Sequence, residues 1–346
     1  MPYGSVNADL MTTSDGVSSS GLYGFKNRIL NGQMVIDQRN AGASVTATGS
    51  NYSLDRWQML ASVSSKFTVQ QSSTAPSGFT KSLLVTSSAA TSLGATDYYL
   101  ITQKIEGFNT ADLGWGAAGA SSITVSFWVR SSLTGTFGFV VRNSAGNRLY
   151  PASYTISSAN TFEYKTVTIA GDTTGTWSTD NSIGVELDFG LGVGSTYSNT
   201  AGTWTTGGLG TTGATSVVGT NGATFYLTGV QLEKGSTATS FDYRPYGTEL
   251  QLCQRYFYKH NASWGSSYNS SNSTLIGYPF KVTMRAQPTM DSGAAFSVNT
   301  GSAGTPTVFA GAGTGTDGNV IYVYNSASNW TTAAVIGLNA GFSAEL

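Results

Sequence analysis

Cysteine and histidine each occur once in this 346-residue chain, as Cys253 and His260. A lone cysteine excludes an intrachain disulfide and any multi-cysteine metal site. A lone histidine excludes zinc centres built from several imidazoles. On a single helix the two would stand roughly 10 Å apart along the axis, beyond the hydrogen bond that a cysteine nucleophile needs from its base. Cys253 therefore reads as a small buried hydrophobe. Charge is scarce too: 10 % of residues against roughly 25 % in ordinary globular chains. With a net charge of −1 the chain offers no basic surface, so nucleic acid is not an expected partner. No apolar run reaches the ~18 residues of a membrane span, and the first residues lack the basic and apolar regions of a cleaved signal. The expectation is a protein made in a cytosol, with no membrane partner.

What is abundant points to strands and turns. Hydrophobic residues at 40 % and aromatics at 12 % supply enough apolar surface for packed cores despite the low charge. The 43 glycines suit many tight turns, since glycine takes positive φ freely. Residues 1–26 are polar and patternless, an arm that would order only against a partner. From Lys26 an apolar/polar alternation around Asn31-Gly32 predicts a hairpin, and Leu54, Trp57 and Leu60 are candidates for a core. Strand-like runs then follow at Lys66–Gln71, Lys81–Thr86, Tyr98–Ile105, Ser122–Arg130, Gly135–Arg142, Thr161–Ala170, Ile183–Leu191 and Thr224–Leu232. Each is rich in β-branched and aromatic residues and bounded by Gly, Asn or Ser. The alternation is clearest where Ile123, Val125, Phe127 and Val129 share one face. The fold class expected is all-β: an antiparallel jelly-roll sandwich, then a short helix and a smaller C-terminal β domain. The corresponding division is 1–26, 27–247 and 248–346. Within the sandwich, residues 192–222 form a long loop carrying Tyr197 and Trp204, and loops of that length are often functional.

The stretch from Gly229 to His260 gathers charge and both rare residues. It reads as a last strand, an Arg-Pro connector, and a helix over Thr248–Tyr258 with Thr248 as N-cap and Gln251 completing a capping box. Leu250, Cys253 and Phe257 would share its apolar face, with His260 just past its end. Glu233, Arg244, Glu249, Cys253 and Arg255 are thus expected to be structural, fixing one β domain against the next. The C-terminal runs at Thr274–Thr283, Ala295–Thr300, Thr307–Ala310, Asn319–Tyr324 and Thr331–Ala344 make a domain with a modest core. Self-association would supply what it lacks, and a homotrimer is the expected state.

Reactive chemistry is thin. Glu186 and Asp188 sit at strand spacing i, i+2, within the separation that glycoside hydrolysis requires, yet on a face that the pattern makes solvated. They could equally serve a structural calcium ion, although no ligand set is fixed; no cofactor is otherwise expected. Phosphate-binding and nucleophile-elbow motifs are absent. Aromatics are the remaining signal. Trp115, Trp177, Trp204, Trp264 and Trp330 stand among Gly, Ser, Thr and Asn, a setting that suits stacking on sugar rings as well as plain loop filling. Trp57 and Trp128 read as core. Tyr197, Trp204, Trp264, Tyr268 and Trp330 are the candidate glycan-binding residues; no catalytic or metal-binding residue is assigned.

Several stretches resemble tail-fibre-like structural proteins of tailed bacteriophages, many from marine and cyanobacterial hosts. These are Met1-Pro-Tyr-Gly-Ser-Val-Asn-Ala-Asp, Lys26-Asn-Arg-Ile-Leu-Asn-Gly-Gln-Met-Val-Ile-Asp-Gln-Arg-Asn-Ala-Gly, Leu54-Asp-Arg-Trp and Thr124-Val-Ser-Phe-Trp-Val-Arg-Ser-Ser with Thr134-Gly-Thr-Phe. The block from Gly229-Val-Gln-Leu-Glu-Lys-Gly to Arg255-Tyr-Phe-Tyr, and Met284-Arg-Ala-Gln-Pro-Thr, complete the set. The resemblance implies a virion protein: an attachment segment over residues 1–26 that binds a tail or capsid protein, a jelly roll like those of carbohydrate-binding modules, and a variable distal domain. The function expected is a non-enzymatic fibre or spike that attaches to host-surface glycans. The rival readings are a capsid or tail decoration that binds only virion proteins, and a polysaccharide depolymerase using Glu186 and Asp188.

Overall fold

The computed structural model describes residues 25–264, 273–290, 295–299, 307–309, 318–324 and 335–346. The chain divides into two compact units, with the boundary between Tyr246 and Gly247.

Among its described residues the first unit holds fourteen strands in chain order: β1 (Val45–Thr46), β2 (Ser50–Tyr52), β3 (Gln58–Ala61), β4 (Phe67–Ser72), β5 (Ser82–Ser87), β6 (Tyr98–Glu106) and β7 (Ile123–Ser131). After them come β8 (Gly135–Arg142), β9 (Leu149–Ile156), β10 (Glu163–Ile169), β11 (Ile183–Val193), β12 (Ser198–Asn199), β13 (Gly210–Thr211) and β14 (Thr224–Lys234). Two six-stranded antiparallel sheets result, ordered β1-β4-β5-β14-β7-β10 and β2-β3-β6-β11-β8-β9. They form a jelly-roll sandwich. The alternation that predicted β7 sends Ile123, Val125, Phe127 and Val129 wholly inward. There the Phe127 ring lies 5.9 Å from Phe139, 4.9 Å from Tyr154 and 5.1 Å from Phe189, mostly edge to face, the arrangement that the ring quadrupoles favour.

Three expectations about local structure need correction. The hairpin around Asn31-Gly32 does not form; residues 25–44 run as irregular backbone. Side chains satisfy that backbone instead. Asn31 donates to the Ile36 and Asp55 carbonyls and accepts from the Ile36 N–H, while the Trp57 indole donates to the Asn31 carbonyl. Gly32 lies so close to β14 that a Cβ there would sit 2.2 Å from the Val230 carbonyl oxygen. Secondly, Leu60 is only half-buried, and Met59 takes the core position beside the buried Leu54 and Trp57. Thirdly, Leu149–Ile156 gave no strand signal because Pro151 interrupts it, yet it forms β9. Proline is tolerated there because β9 is an edge strand of its sheet.

The second unit opens with α1 (Tyr246–Gln254), followed by β15 (Phe257–Trp264), β16 (Ser273–Pro279), β17 (Thr289–Met290), β18 (Ala295–Asn299), β19 (Thr307–Phe309), β20 (Gly318–Tyr324) and β21 (Val335–Ser343). The helix starts and stops earlier than expected. Phe257 and Tyr258 pair with Ser343 and Phe342 of β21, as aromatic residues that favour strands, and His260 lies in β15 rather than beyond a helix end. Cys253 is fully buried, as expected, and so is Glu249. Among the described residues no helix is long and apolar enough to cross a membrane.

Candidate functional site

The outer face of the first sheet carries a groove of about 500 Å³ lined by Phe79, Trp128, Tyr164, Phe241 and Tyr243 together with the hydroxyls of Ser77, Ser126, Thr239 and Ser240. It is built from four separate segments. On β7 the same alternation that buries Phe127 turns Ser126, Trp128 and Arg130 outward. Trp128 is therefore not a core residue, which corrects the sequence expectation. Tyr164 stands opposite it on β10, with ring centroids 5.4 Å apart. Tyr164 is 44 % exposed and Tyr243 53 %, so flat aromatic surface reaches solvent.

The far wall comes from the segment after β14, which folds back across the sheet. Buried Glu233 pins it, accepting from the Thr239 N–H at 3.2 Å and from its hydroxyl at 2.9 Å. The Asp242 N–H donates to Gln231 Oε1 at 2.9 Å. Phe241 and Tyr243 then close on Phe79, with centroids at 5.2 and 5.6 Å, and the Tyr243 hydroxyl donates to the Gly78 carbonyl.

Gly229 makes this approach possible. It sits in a bulge of β14 opposite β7 at φ +59°, where a Cβ would stand 2.6 Å from Phe79 and 3.1 Å from Trp128. Gly229→Ala is expected to cost about 1–2 kcal/mol from the left-handed backbone alone, and to push Phe79 out of the groove wall. Urea unfolding checks the first effect, and loss of the Phe79–Tyr243 ring contact in a structure of the variant checks the second.

The other candidate residues lie elsewhere. Tyr197 packs against Tyr98 at 5.9 Å. Trp204, from the same long loop, meets Trp115, Trp177 and Tyr150 at 5.3, 5.6 and 5.4 Å, all edge to face, and its indole donates to the Ala170 carbonyl. Arg148 lies over the Trp204 ring and makes two hydrogen bonds to Asp172. The structure thus separates Tyr197 from Trp204, and neither lines the groove. Trp264 lies in β15, while Tyr268 and Trp330 fall outside the described residues. Of the residues expected to be structural, Glu233 pins the groove wall, and Arg244 reaches back to the Asn27 and Ile29 carbonyls with its guanidinium over Phe25. Arg255 accepts the Arg285 N–H at its carbonyl.

Glu186 and Asp188 do share the outer face of the second sheet, but that face is not solvated at their position: they are 3 % and 0 % exposed. Register explains the difference, since β8 sets Arg142 directly opposite Glu186 and its side chain covers both carboxylates. Arg142 bonds Glu186 through one terminal nitrogen and Asp188 through Nε at 2.6 Å; the Thr102 hydroxyl donates to the other Asp188 oxygen at 2.6 Å. Burial, with repulsion from Asp188, pushes the Glu186 carboxyl up to about 7 against the pull of Arg142 and Lys104. Although burial opposes the Arg142 cation, the charges of Asp188 and Glu186 hold its pKa above the ordinary value. Among the described residues no group of three or more acidic, histidine or cysteine side chains is placed to hold a metal ion.

No family model and no curated protein sequence matches the chain. Solved structures similar to it include the enzymatically active domain of tailspike protein 4 of bacteriophage CBA120, at 13 % identity and a TM-score of 0.31, covering 60 % of this chain and 21 % of that one. The chain therefore matches about a fifth of the tailspike's length. TmCBM61, solved in complex with β-1,4-galactotriose, is similar at 11 % identity and a TM-score of 0.29 over 61 % of this chain and 99 % of its own. A putative sugar-binding protein from Bacteroides thetaiotaomicron is similar at 11 % identity and a TM-score of 0.34, over 60 % and 99 %.

Proposed function

We propose that the chain is a non-enzymatic attachment protein of a phage particle. In this reading it acts as a homotrimer fixed to the virion through residues 1–26 and binds host-surface glycan in the outer-face groove. The observation that carries the reading is the groove itself. Exposed rings of Tyr164 and Tyr243 stand with Trp128 and Phe79 beside the exposed hydroxyl side chains of Ser77 and Ser240. Flat apolar rings can cover the C–H faces of a sugar while the serine hydroxyls meet its own, the combination that small polar ligands require of a site. The virion setting rests on the resemblance of the arm and of the Gly229 to Tyr258 block to tail-fibre-like proteins. The absence of catalysis is supported by Arg142, which occupies both Glu186 and Asp188 and leaves neither carboxylate open to a sugar.

The test is binding of the full chain to an array of bacterial envelope oligosaccharides. Tyr164→Ser removes an exposed ring without opening the core, and is expected to weaken binding about tenfold while leaving the unfolding midpoint in place. Unchanged binding in that variant would remove the groove from the mechanism. Reducing-sugar release from any bound glycan would refute the non-enzymatic reading.

A further inference from the structure

The groove is lined by no charged side chain, yet it does not end at Trp128. Arg130 projects from the same face of β7, two residues along and so roughly 7 Å away. Its guanidinium lies over the Tyr226 ring at 4.8 Å and the Phe162 ring at 5.9 Å. Tyr226 is its register partner on β14, as Thr228 is for Trp128. The two rings meet each other edge to face at 6.1 Å, so both stand on one flank of the guanidinium and buttress it there. Nε is buried without a hydrogen-bond partner, and among the described residues the group makes no ion pair. Each of the other cations described on the sandwich surface with an acidic neighbour is used: Arg28 and Lys234 by Asp112, Arg148 by Asp172, Lys165 by Glu163. The nearby carboxylate Glu163 faces the other side of its strand, opposite Val129, and is held by Lys165 and the N–H groups of Ser157 and Ser158.

A rigid, uncompensated arginine one step beyond an uncharged aromatic platform fits a ligand with an anionic group next to a stacked ring. We infer that the groove and Arg130 together read an acidic glycan, with Trp128 and Tyr164 stacking one sugar and Arg130 pairing the carboxylate of an adjoining uronic acid. Carboxylate is the natural partner because its two oxygens match the planar guanidinium fork. The inference rests on the groove being the glycan site, so its test keeps the two ideas apart.

The probes are uronic-acid-containing oligosaccharides, each paired with its carboxyl-reduced counterpart, and sulfated oligosaccharides of the same backbones, all measured against the full chain. The expected result is roughly tenfold tighter binding of the uronic-acid form than of its reduced partner, and loss of that preference at high salt. Arg130→Gln should erase the preference while leaving the reduced oligosaccharide bound as before; Arg130→Lys should keep part of it. Tyr164→Ser should weaken both forms alike. Equal binding of the acidic and reduced forms by the unaltered chain overturns the role of Arg130 and leaves the groove reading intact. So does an Arg130→Gln loss that is the same for both, which would make the arginine a prop for Phe162 and Tyr226. A preference for sulfated over carboxylated probes overturns the uronic-acid assignment. Failure to bind any probe overturns the groove reading as well.

Discussion

Arg142→Met is expected to destabilise the sandwich by about 3–5 kcal/mol, because it strands two buried carboxylates without their counter-charge. The arrangement explains the size. Glu186 and Asp188 are 3 % and 0 % exposed, and Arg142 is the cation hydrogen-bonded to both. The variant should also change how stability depends on pH. In the native protein the Glu186 carboxyl is raised from 4.5 to about 7. Between those values the folded state holds a proton that the unfolded chain has released, so the stability linked to this group is full below about 4.5 and is lost as the pH rises through about 7. Without Arg142 the carboxyl rises further, and the decline should extend to higher pH at much the same slope, since one proton is still involved. Urea midpoints from about pH 5 to about pH 8 check both statements. Replacing all three groups at once, with Arg142→Met, Glu186→Leu and Asp188→Leu, should recover much of the loss, since a buried ion cluster and a well-packed apolar substitute are often near equal. An unaltered midpoint and pH profile in Arg142→Met would show that the carboxylates find other partners.

The same residues mark how far a sequence can be read. Alternation located β7, β8, β11 and β14 almost to the residue, because Ile123, Val125, Phe127 and Val129 are all fully buried and a period of two has no competing reading. It also set Glu186 and Asp188 on the outer face. What it could not supply was their burial, which depends on the register that brings Arg142 across from another strand. Trp128 is the reverse case. The pattern that turned Phe127 inward already turned Trp128 outward, and its size alone suggested a core. An aromatic on the polar face of an otherwise regular strand was the available signal for the groove. The groove as a whole was not legible. Its rings come from positions 79, 128, 164, 241 and 243, and they meet only because β14 inserts between β5 and β7 and the following segment folds back onto Glu233. At the helix, the capping-box signal at Thr248 and Gln251 competed with the aromatic run Tyr256-Phe257-Tyr258, and strand pairing with β21 prevailed.

The largest functional effect is expected from Trp128→Ala, and it separates two tryptophans that look alike in sequence. Trp128 is half-buried with one neighbour ring, Tyr164, and open groove beside it, so its removal takes away ligand surface. Trp204 is enclosed by three rings and hydrogen-bonded through its indole, so its removal loosens the long loop. Loss of a central aromatic anchor weakens a single site by about 2 kcal/mol, or roughly 30-fold. In the proposed homotrimer the effect would compound. Linked sites reinforce one another only while each binds more tightly than the effective concentration of its neighbours, on the order of millimolar. Once Trp128→Ala lifts the single-site dissociation constant past that level, the second and third contacts stop adding, and overall attachment should fall on the order of 10³–10⁴-fold. Trp204→Ala should instead lower the unfolding midpoint and leave attachment within a few-fold of the unaltered chain. Binding measured on sparse and on dense glycan surfaces reads both quantities, the sparse surface giving the single-site loss and the dense one its multiplication. Equal losses on the two surfaces would mean that the copies do not bind together, and a Trp204→Ala loss exceeding that of Trp128→Ala would move the site to the long loop.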